Sequence, residues 1–560
     1  MRKSTGFALL SIFLIGLFLR LLPLYGHLYW GADTGEYYFL TKDLVANGSI
    51  ALPYDGWGFT YPYFPGMIFL NAAVGFTNLS FLLTVSLVAV CLASLSVFPV
   101  FLLGRTLFHE DSASLIAAGV MAVSMPMVYM TSHAVPGSVG DLLFVTCLLL
   151  FIKAHFNPKM YYLLYPISLG LIITHHLSTY FLIIALIASV FFRELISKKS
   201  DQNSLRLSMM YLIFLVAASL LHWVAYADPF RDVILSKMFG TWWPVVAILA
   251  LALPVMYALV KLRRKMKWHV RLRYPDLNSR FGFLLAGLVA VYVIIAVNIY
   301  VGVPGTTITP SDWAFVYFTP LLVVLAFGVV GRPFTDFSKR GSDVTSWFVV
   351  IAASLVFAAL FANEVLLPYR HMQYMMPPSA LLVGIGISRM SGMIGVDTKK
   401  KRIVAGTVIT CALVLLAATS HPQKDLMDRM NEGIDAEQIS SAYFCRLYVD
   451  GLVASDHLAS AVIFGFGDTN ATWDTARDSL LADSFDDARE EMEDVNSPSG
   501  RKRVDFVAID KDLEAGAMLF PWDPAPRPSE AAINKFEDSP YMKLYDNGYS
   551  RLYYVNWGLA

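Results

Sequence analysis

The sequence predicts a polytopic α-helical membrane protein of about thirteen transmembrane helices with a C-terminal α/β domain outside the membrane. Of its 560 residues, 56% are hydrophobic and only 15% are charged, and the mean hydropathy is +0.55. A soluble globular protein carries about 25% charged residues. Apolar runs of about 20 residues, the length that crosses the hydrocarbon core of a bilayer, recur along the chain.

The charges divide the chain into two parts. Residues 421–560 contain 26 acidic and 13 basic residues, a formal charge of −13, and residues 1–420 carry +13. We therefore predict a transmembrane domain over residues 1–420, with a first outer loop over 26–79, and a soluble acidic domain over 421–560. Alternating polar and apolar residues at 503–510 and 550–556 indicate strands, and hence a mixed α/β fold, in the second domain.

The first domain contains thirteen segments with the length and hydrophobicity expected of membrane spans. They cover approximately residues 7–25, 80–103, 113–131, 139–152, 160–174, 177–192, 208–225, 241–260, 281–300, 313–331, 346–362, 372–388 and 403–419.

The positive-inside rule orients these spans. If Arg2 and Lys3 are cytoplasmic, all six loops on that side are basic, from Arg105 in the first to the run 399–402 in the last. The loops between spans on the other side carry only four basic residues, Lys42, Arg231, Lys237 and Arg370. The N-terminus is therefore predicted to be cytoplasmic and the acidic domain extracytoplasmic, in a multi-pass protein of the plasma membrane.

The first outer loop contains the strongest candidate site. Asp33 and Glu36 lie three residues apart, so both project from one side of a helix that begins after Trp30. The run 37–48 has amphipathic spacing and stops at Gly48. A carboxylate close to the hydrocarbon is costly and is therefore a functional candidate. Alternatively, Asp33 serves only as the N-cap of the helix.

The second outer loop, 132–141, contains His133, then Pro136 and two glycines, and finally Asp141. Its Pro and Gly residues predict a broken backbone, which is tolerated at the membrane where it lines a polar cavity. Asp141 is predicted to open the next span, where a role as helix cap alone is the alternative.

A third outer segment begins a late span with Tyr369-Arg370-His371. A snorkelling lysine would satisfy any structural need for a cation at this position. A guanidinium suits a phosphate better, because it grips the anion through two hydrogen bonds. This segment is therefore a candidate phosphate-binding site.

His175 and His176 form the turn of a tight outer hairpin between two predicted spans. Adjacent histidines on a short turn either bind a metal ion or form a packed, hydrogen-bonded pair, and we favour the packed pair.

The three outer segments together resemble the GT-C superfamily of membrane glycosyltransferases, which use sugars linked to polyprenyl phosphates. The spacing from Asp33 to Asn47-Gly48 is similar to that in oligosaccharyltransferase catalytic subunits, and the segment beginning Tyr61-Pro62-Tyr63 resembles their Tyr-Pro-Gly segment. Residues 369–378 resemble a GT-C phosphate-binding region. The resemblance implies a catalytic Asp in the first outer loop, a multi-span body and an outer C-terminal domain.

The chain departs from the oligosaccharyltransferase pattern at two places. Their outer domain carries a Trp-Trp-Asp-Tyr-Gly motif, and the nearest segment here is Ala471-Thr472-Trp473-Asp474. Their second outer loop holds a paired-acid metal motif, where this chain has Gly140-Asp141. Metal-independent monosaccharide transferases, such as protein O-mannosyltransferases and lipid A aminoarabinose transferases, are the nearer comparison.

These residues and the resemblance predict an inverting transfer of a sugar from a polyprenyl-phosphate or dolichyl-phosphate donor to a protein, glycan or lipid acceptor. Asp33 would be the general base, and Glu36 would orient the acceptor or support Asp33. Arg370, helped by His371, would hold the departing phosphate. The other predicted substrate-binding residues are Asp141, His133, Tyr61, His371 and Tyr369.

A divalent cation, Mg²⁺ or Mn²⁺, is the weaker expectation for a cofactor. Its ligands would come from the set Asp33, Asp141, His175 and His176. Besides the donor and the acceptor, the expected partners are membrane lipids, and we expect no nucleic acid.

Three other functions stay open at this stage. The first is a metal-dependent oligosaccharyltransferase that uses a lipid-linked oligosaccharide. The second, of a different class, is a membrane transporter or lipid flippase, although the sequence shows no internal repeat of the kind common in transporters. The third is a catalytically silent subunit.

Overall fold

The computed structural model describes residues 2–54, 56–77, 81–196, 202–238, 258, 261–262, 276–302, 313–335, 340–393, 399–422, 431–498, 500–515 and 528–559. The helices of the first part, numbered in chain order, are α1 (Lys3–Leu21), α2 (Thr34–Asn47), α3 (Gly66–Gly75), α4 (Phe81–Ser94), α5 (Val97–Phe108), α6 (Asp111–Val123), α7 (Met125–Ser132), α8 (Pro136–Ala154), α9 (Tyr161–Thr174), α10 (His176–Ile196), α11 (Gln202–Leu220), α12 (Asp228–Met238), α13 (Leu277–Val301), α14 (Ala314–Thr335), α15 (Gly341–Phe361), α16 (Asn363–Leu366), α17 (Pro368–Met393) and α18 (Lys399–Ala418).

In the described part of the chain, eight helical segments are long and apolar enough to cross a membrane, or nine if the bent pair α6–α7 counts as one span. The chain is therefore a multi-pass membrane protein, but the predicted thirteen spans are not confirmed. Helices α9, α17 and α18 coincide with predicted spans but are not among these segments. The predicted span 241–260 lies outside the described residues, apart from Ala258.

The bent pair α6–α7 is stabilised by a buried arginine. The two helices meet at an angle of 49°, and Pro126 at the start of α7 lacks the N–H that would continue the helix. Arg20 of α1 donates from Nη1 to the carbonyl oxygen of Ala122 at 3.0 Å and from Nε to Oγ1 of Thr131 at 2.7 Å. The guanidinium thus satisfies a carbonyl beside the break and links both halves.

Close packing of small residues holds the helical body together. Helices α14 and α17 cross where Gly331 faces Leu382 and Gly386, and a Cβ on Gly331 would lie 1.9 Å from the carbonyl oxygen of Leu382. In a membrane, where lipid competes for apolar surface, such close backbone approach is a main source of helix association.

The C-terminal part has a mixed α/β fold. Its helices are α19 (Ala436–Tyr448), α20 (His457–Gly467), α21 (Arg477–Leu481), α22 (Phe485–Glu493), α23 (Lys511–Glu514) and α24 (Glu530–Asn534). Its strands are β2 (Gly433–Ile434), β3 (Leu452–Ala454), β4 (Val495–Ser497), β5 (Gly500–Lys502), β6 (Val504–Asp510), β7 (Tyr541–Asp546) and β8 (Ser550–Val555). The main sheet has the order β3-β6-β8-β7, in which only β3 and β6 are parallel. The strands predicted at 503–510 and 550–556 are confirmed as β6 and β8.

The first outer loop and the C-terminal part are packed against each other. Strand β1 (Tyr29–Trp30) pairs antiparallel with β2. Helix α2 crosses α20 at Gly35 and Gly465, where a Cβ on Gly35 would lie 2.0 Å from the carbonyl oxygen of Ala461. Only glycine permits this approach, so the loop that carries Asp33 is positioned by the C-terminal part.

Helix α2 itself forms as the amphipathic spacing predicts. It ends at Asn47, and Gly48 follows with φ of 72°, the left-handed conformation that glycine adopts without strain at a helix C-terminus. The predicted domain division at residue 420 stays a prediction, because residues 423–430 between α18 and β2 lie outside the described residues.

Candidate functional site

Asp33 occupies the N-cap position of α2, but its side chain makes no capping hydrogen bond. Instead, Tyr61 donates its O–H to Asp33 Oδ2 at 2.9 Å, and His457 Nε2 donates to Oδ1 at 3.1 Å. Burial alone would raise the pKa of this carboxyl group. The hydrogen bonds and charge of His457, the hydrogen bond of Tyr61 and the charge of Arg370 outweigh burial, and the pKa lies below its usual value. Asp33 is therefore ionised at neutral pH.

His457 and Asp474 extend this arrangement into the C-terminal part. His457 Nδ1 donates to Asp474 Oδ1 at 3.0 Å, and Trp57 Nε1 of the first outer loop donates to Asp474 Oδ2 at 2.9 Å. Burial would lower the pKa of His457, but the hydrogen bonds to Asp33 and Asp474 and their charges raise it to about 10. The imidazole is therefore a cation between two carboxylates.

Sequence reasoning missed His457 and Trp57, and it noted Asp474 only as part of a weak motif likeness. Their signal in the sequence is weak. His457 follows Asp456, the N-cap of α20, whose Oδ1 accepts from Ala459 N at 2.9 Å. A histidine at the first position of an ordinary helix gives no indication that it contacts Asp33, which lies 424 residues earlier in the chain.

Glu36 is fully buried and holds a different part of the loop. The backbone N–H of Gly58 donates to both of its oxygens, at 2.9 and 3.1 Å, and Tyr54 O–H donates at 3.2 Å. Burial raises its pKa to about 8, the Gly58 N–H opposes this, and the charge of Asp33 adds to it. These contacts tie the segment that carries Trp57 and Tyr61 to α2, and the role predicted for Glu36 in catalysis stays a prediction.

The raised pKa of Glu36 predicts a pH dependence of stability. Between the ordinary pKa of 4.5 and the folded value of about 8, the folded protein binds more protons than the unfolded chain. The free energy of unfolding therefore falls as pH rises through this window. Glu36→Gln stays neutral and should remove that fall, so its melting temperature relative to wild type should be higher at pH 8.5 than at pH ~5.

The exposed Glu490 offers a matched control for this measurement. Glu490→Gln should leave the pH dependence of the melting temperature unchanged. If the difference in melting temperature between wild type and Glu36→Gln were the same at both pH values, the raised pKa assigned to Glu36 would be contradicted.

A second acidic group reaches the site from the start of the C-terminal part. Glu432 accepts from Tyr129 O–H at 2.9 Å and forms an ion pair with His133 Nε2, and its backbone oxygen accepts from Gly31 N–H at 2.9 Å. Burial would raise the pKa of Glu432, but the charge and hydrogen bond of His133 lower it below its usual value. His133, which is predicted to bind substrate, is thus paired with the carboxylate of Glu432, a residue that the sequence analysis did not single out.

Asp141 lies deeper than predicted. Helix α8 begins at Pro136, a residue favoured at a first helical position, so the prediction that Asp141 opens this helix is wrong. Its side chain is 2% exposed and accepts from Gln373 Nε2 at 2.5 Å. Asp141 is therefore buried within the helical body, where Gln373 of α17 binds it.

Arg370 provides the cation of the site. Its guanidinium lies over the ring of Tyr369, 5.3 Å from the centroid. Among the residues that the structure describes, it forms no ion pair, although its charge contributes to the lowered pKa of Asp33. The adjacent His371 points elsewhere: it is fully buried in the helical body, with Nε2 2.9 Å from Ser354 Oγ. The structure thus groups Arg370 and Tyr369 with the site, but not His371.

The two histidines of the hairpin lie at the junction of α9 and α10. His175 Nδ1 is 2.7 Å from Ser178 Oγ, which is 2.6 Å from the hydroxyl of Tyr374. His176 packs against Phe230, with ring centroids 4.6 Å apart. Within the described ranges, no three His, Cys, Asp or Glu side chains are grouped so that they could hold a metal ion. The metal prediction is neither supported nor tested by this arrangement.

The charges of Asp33, Glu432 and Arg370 act on one another, which groups the three side chains into one candidate site. The side chains of Asp33 and Glu432 are 28% and 18% exposed. The charge of Asp33 also acts on Glu432, in the direction that raises its pKa. The arrangement presents two carboxylates and a cation without a carboxylate partner in the described structure, which is the chemistry needed to accept a proton and to bind an anion.

The fold is similar to that of two solved membrane enzymes. The oligosaccharyltransferase of Archaeoglobus fulgidus, solved with a tethered acceptor peptide containing the NVT sequon, matches with a TM-score of 0.61 and 14% identity, over 100% of this chain and 75% of that chain. ArnT of Cupriavidus metallidurans, solved with undecaprenyl phosphate, matches with a TM-score of 0.52 and 9% identity, over 100% and 99%. The chain therefore has a fold similar to that of these two proteins over its whole length.

A second structure of the Archaeoglobus oligosaccharyltransferase, in complex with Zn and sulfate, matches with a TM-score of 0.59 and 16% identity, over 99% of this chain and 74% of that chain. No protein-family model matches the sequence, and no curated protein matches it. The similarity therefore concerns the fold, and it confirms the GT-C resemblance inferred from the three outer segments.

Proposed function

We propose that this GT-C chain is a glycosyltransferase that moves a sugar from a polyprenyl-phosphate donor to an acceptor at the membrane surface. The observation that carries the proposal is a partly exposed Asp33, held by Tyr61 and His457, whose carboxyl pKa the charge of Arg370 helps to lower. A lipid-linked sugar reaches the membrane surface from within the bilayer, so its reactive carbon and its phosphate would lie beside Asp33 and Arg370.

The proposed reaction is a single inverting displacement. The acceptor oxygen attacks C1 of the sugar while Asp33 takes its proton. The bond between C1 and the phosphate oxygen breaks, and the polyprenyl phosphate leaves with the electron pair. Arg370 stabilises the charge that develops on this phosphate. Asp141, His133 and Tyr61 would shape the site around the sugar, His133 through its pairing with Glu432.

Two observations bear on the donor class. ArnT, which has a similar fold, was solved with undecaprenyl phosphate, and its match covers 99% of that chain. A lipid monophosphate carrying one sugar is therefore our first candidate. The Archaeoglobus enzyme has the higher TM-score, 0.61, and supports a lipid-linked oligosaccharide as the second candidate.

For the orientation, we propose a cytoplasmic N-terminus and an extracytoplasmic site in the plasma membrane. Helices α8 and α10 begin at the end of the body that carries the site, so Lys153 and Arg193, near their other ends, lie toward the opposite face. Basic residues at that face agree with the positive-inside rule.

The experiment is a transfer assay with purified protein in lipid nanodiscs. Donors would be polyprenyl phosphates carrying different single sugars and a polyprenyl pyrophosphate oligosaccharide, with peptide, glycan and lipid acceptors. We expect transfer from a monophosphate donor that persists in EDTA. Transfer only from the pyrophosphate donor, lost in EDTA and restored by Mn²⁺ or Mg²⁺, would favour the oligosaccharyltransferase. Lipid or sugar movement in proteoliposomes without transfer would overturn the proposal.

A further inference from the structure

A closed ring of contacts joins the first outer loop to the C-terminal part around Asp33. The loop residue Asp33 accepts from His457 at 3.1 Å, His457 donates to Asp474 at 3.0 Å, and Asp474 accepts from the loop residue Trp57 at 2.9 Å. Trp57 also lies against the imidazole, with centroids 4.5 Å apart and planes at 84°, and against Tyr61, with centroids 6.4 Å apart. Tyr61 donates to Asp33, and this hydrogen bond closes the ring of contacts.

The members of this ring differ in exposure. His457 is 1% exposed, whereas Asp33 is 28% and Asp474 26% exposed. Both imidazole nitrogens are used, so His457 has no donor left for a substrate. It therefore acts on the open site only through Asp33.

Asp33 is held at both oxygens by groups of different origin. Tyr61 of its own loop binds Oδ2, and His457 of the C-terminal part binds Oδ1. Two donors on two oxygens fix the plane of a carboxylate, which would otherwise rotate about its last torsion. Each oxygen of Asp33 keeps a further lone pair. Because the side chain is 28% exposed, an acceptor can reach these lone pairs.

We propose that His457 is a positioning residue for the transfer step, which aims the Asp33 carboxylate at the acceptor through the ring Asp33–His457–Asp474–Trp57. The inference rests on the proposed function, because it assumes that Asp33 takes the proton of the acceptor. It makes the C-terminal part a component of the catalytic site rather than a cover over it. Asp474 and Trp57 in turn fix the orientation of the imidazole.

The test compares kinetic constants of wild type and His457→Ala for the donor on which wild type acts. Misdirecting Asp33 should lower kcat by about 10- to 100-fold. The KM for the donor should stay within about twofold, because the phosphate is held by Arg370 and not by the ring. His457→Gln keeps one N–H donor toward Asp33 and should recover part of kcat.

A matched control exists in the same interface. His27 of the first outer loop pairs with Asp435 of the C-terminal part at 2.7 Å, and its side chain is 19% exposed, against 1% for His457. His27→Ala removes a loop-to-domain His–Asp pair that does not touch Asp33. It should leave kcat near the wild-type value, which separates loss of positioning from loosened packing.

A second measurement tests the route through Asp33. In an Asp33→Asn background, His457→Ala should cause little further loss, because the group that it positions no longer accepts a proton. If His457→Ala does not fold, Trp57→Phe keeps an aromatic ring but removes the indole N–H that donates to Asp474, and it should lower kcat less strongly.

The outcomes separate the two proposals. Absence of transfer by wild type overturns the proposed function, and this inference with it. Three results, each with a wild type that transfers sugar, would overturn the inference alone. The first is an unchanged kcat in His457→Ala, and the second is an equal loss of kcat in His27→Ala. The third is a loss from His457→Ala that is as large in the Asp33→Asn background as in wild type.

Discussion

Replacing Asp33 with Asn is expected to lower the rate of sugar transfer by about 10²- to 10⁴-fold, the contribution typical of a general base. Asn matches the shape of Asp but cannot accept the proton of the attacking acceptor. The KM for the donor should change little, because the proposed phosphate-binding group is Arg370 and not Asp33. The measurement is initial-rate kinetics in nanodiscs with the donor and acceptor on which wild type acts.

Asp43 provides the control for this substitution. It lies on the same helix, α2, and its side chain accepts from the amide of Asn47. Asp43→Asn should transfer sugar at a rate close to wild type. A rate for Asp33→Asn within a few-fold of wild type would show that Asp33 is not the base, and Glu432 would become the carboxylate to test.

Replacing Arg370 with Met is expected to reduce kcat by about 10²- to 10³-fold, because a developing negative charge on the phosphate would lose its cation. Arg370→Lys should fall between Met and wild type. Lysine keeps the charge but loses the planar fork that binds two phosphate oxygens at once. Both kcat and the KM for the donor would be measured, since the phosphate is bound before and during transfer.

Arg389 lies near the other end of the same helix, α17, where it pairs with Glu110 at 2.6 Å. Arg389→Lys should therefore leave transfer nearly unchanged. If Arg370→Met retained wild-type kinetics, the phosphate would have to be held by other groups, and the assignment of the donor site would be wrong.

The sequence predicted those parts of the site that depend on local pattern. Helix α2 and its end at Gly48 follow from amphipathic spacing and a C-terminal glycine, both of which act within one or two turns. Asp33 was singled out because a carboxylate beside the hydrocarbon is costly. The predicted position of Asp141 at the start of its helix is wrong, because α8 begins at Pro136, before the two glycines that were expected to lie in the loop.

The partners of these residues could not be predicted in the same way. His133 was predicted to bind substrate, but its neighbour Glu432 lies 299 residues further along the chain. Hydrophobic periodicity does not report contacts at such a distance, and neither Glu432 nor His457 belongs to a motif. The Asp474 segment differs from the oligosaccharyltransferase motif, so likeness to that motif gave it no role.

By itself, then, the sequence determined that the chain is a multi-pass membrane protein with a mixed α/β C-terminal part, and it predicted an apolar body, an acidic C-terminal domain and roles for Asp33 and Arg370. Composition, hydropathy and charge are sums over neighbouring residues, so they can be calculated from the sequence without knowledge of the fold. Only the tertiary structure decided what Asp33 touches. Its contact with His457 depends on the crossing of α2 and α20 at Gly35 and Gly465, where two backbones approach so closely that no side chain fits between them. Hydrogen bonds of about 3 Å between distant segments require such packing, and local pattern does not specify it.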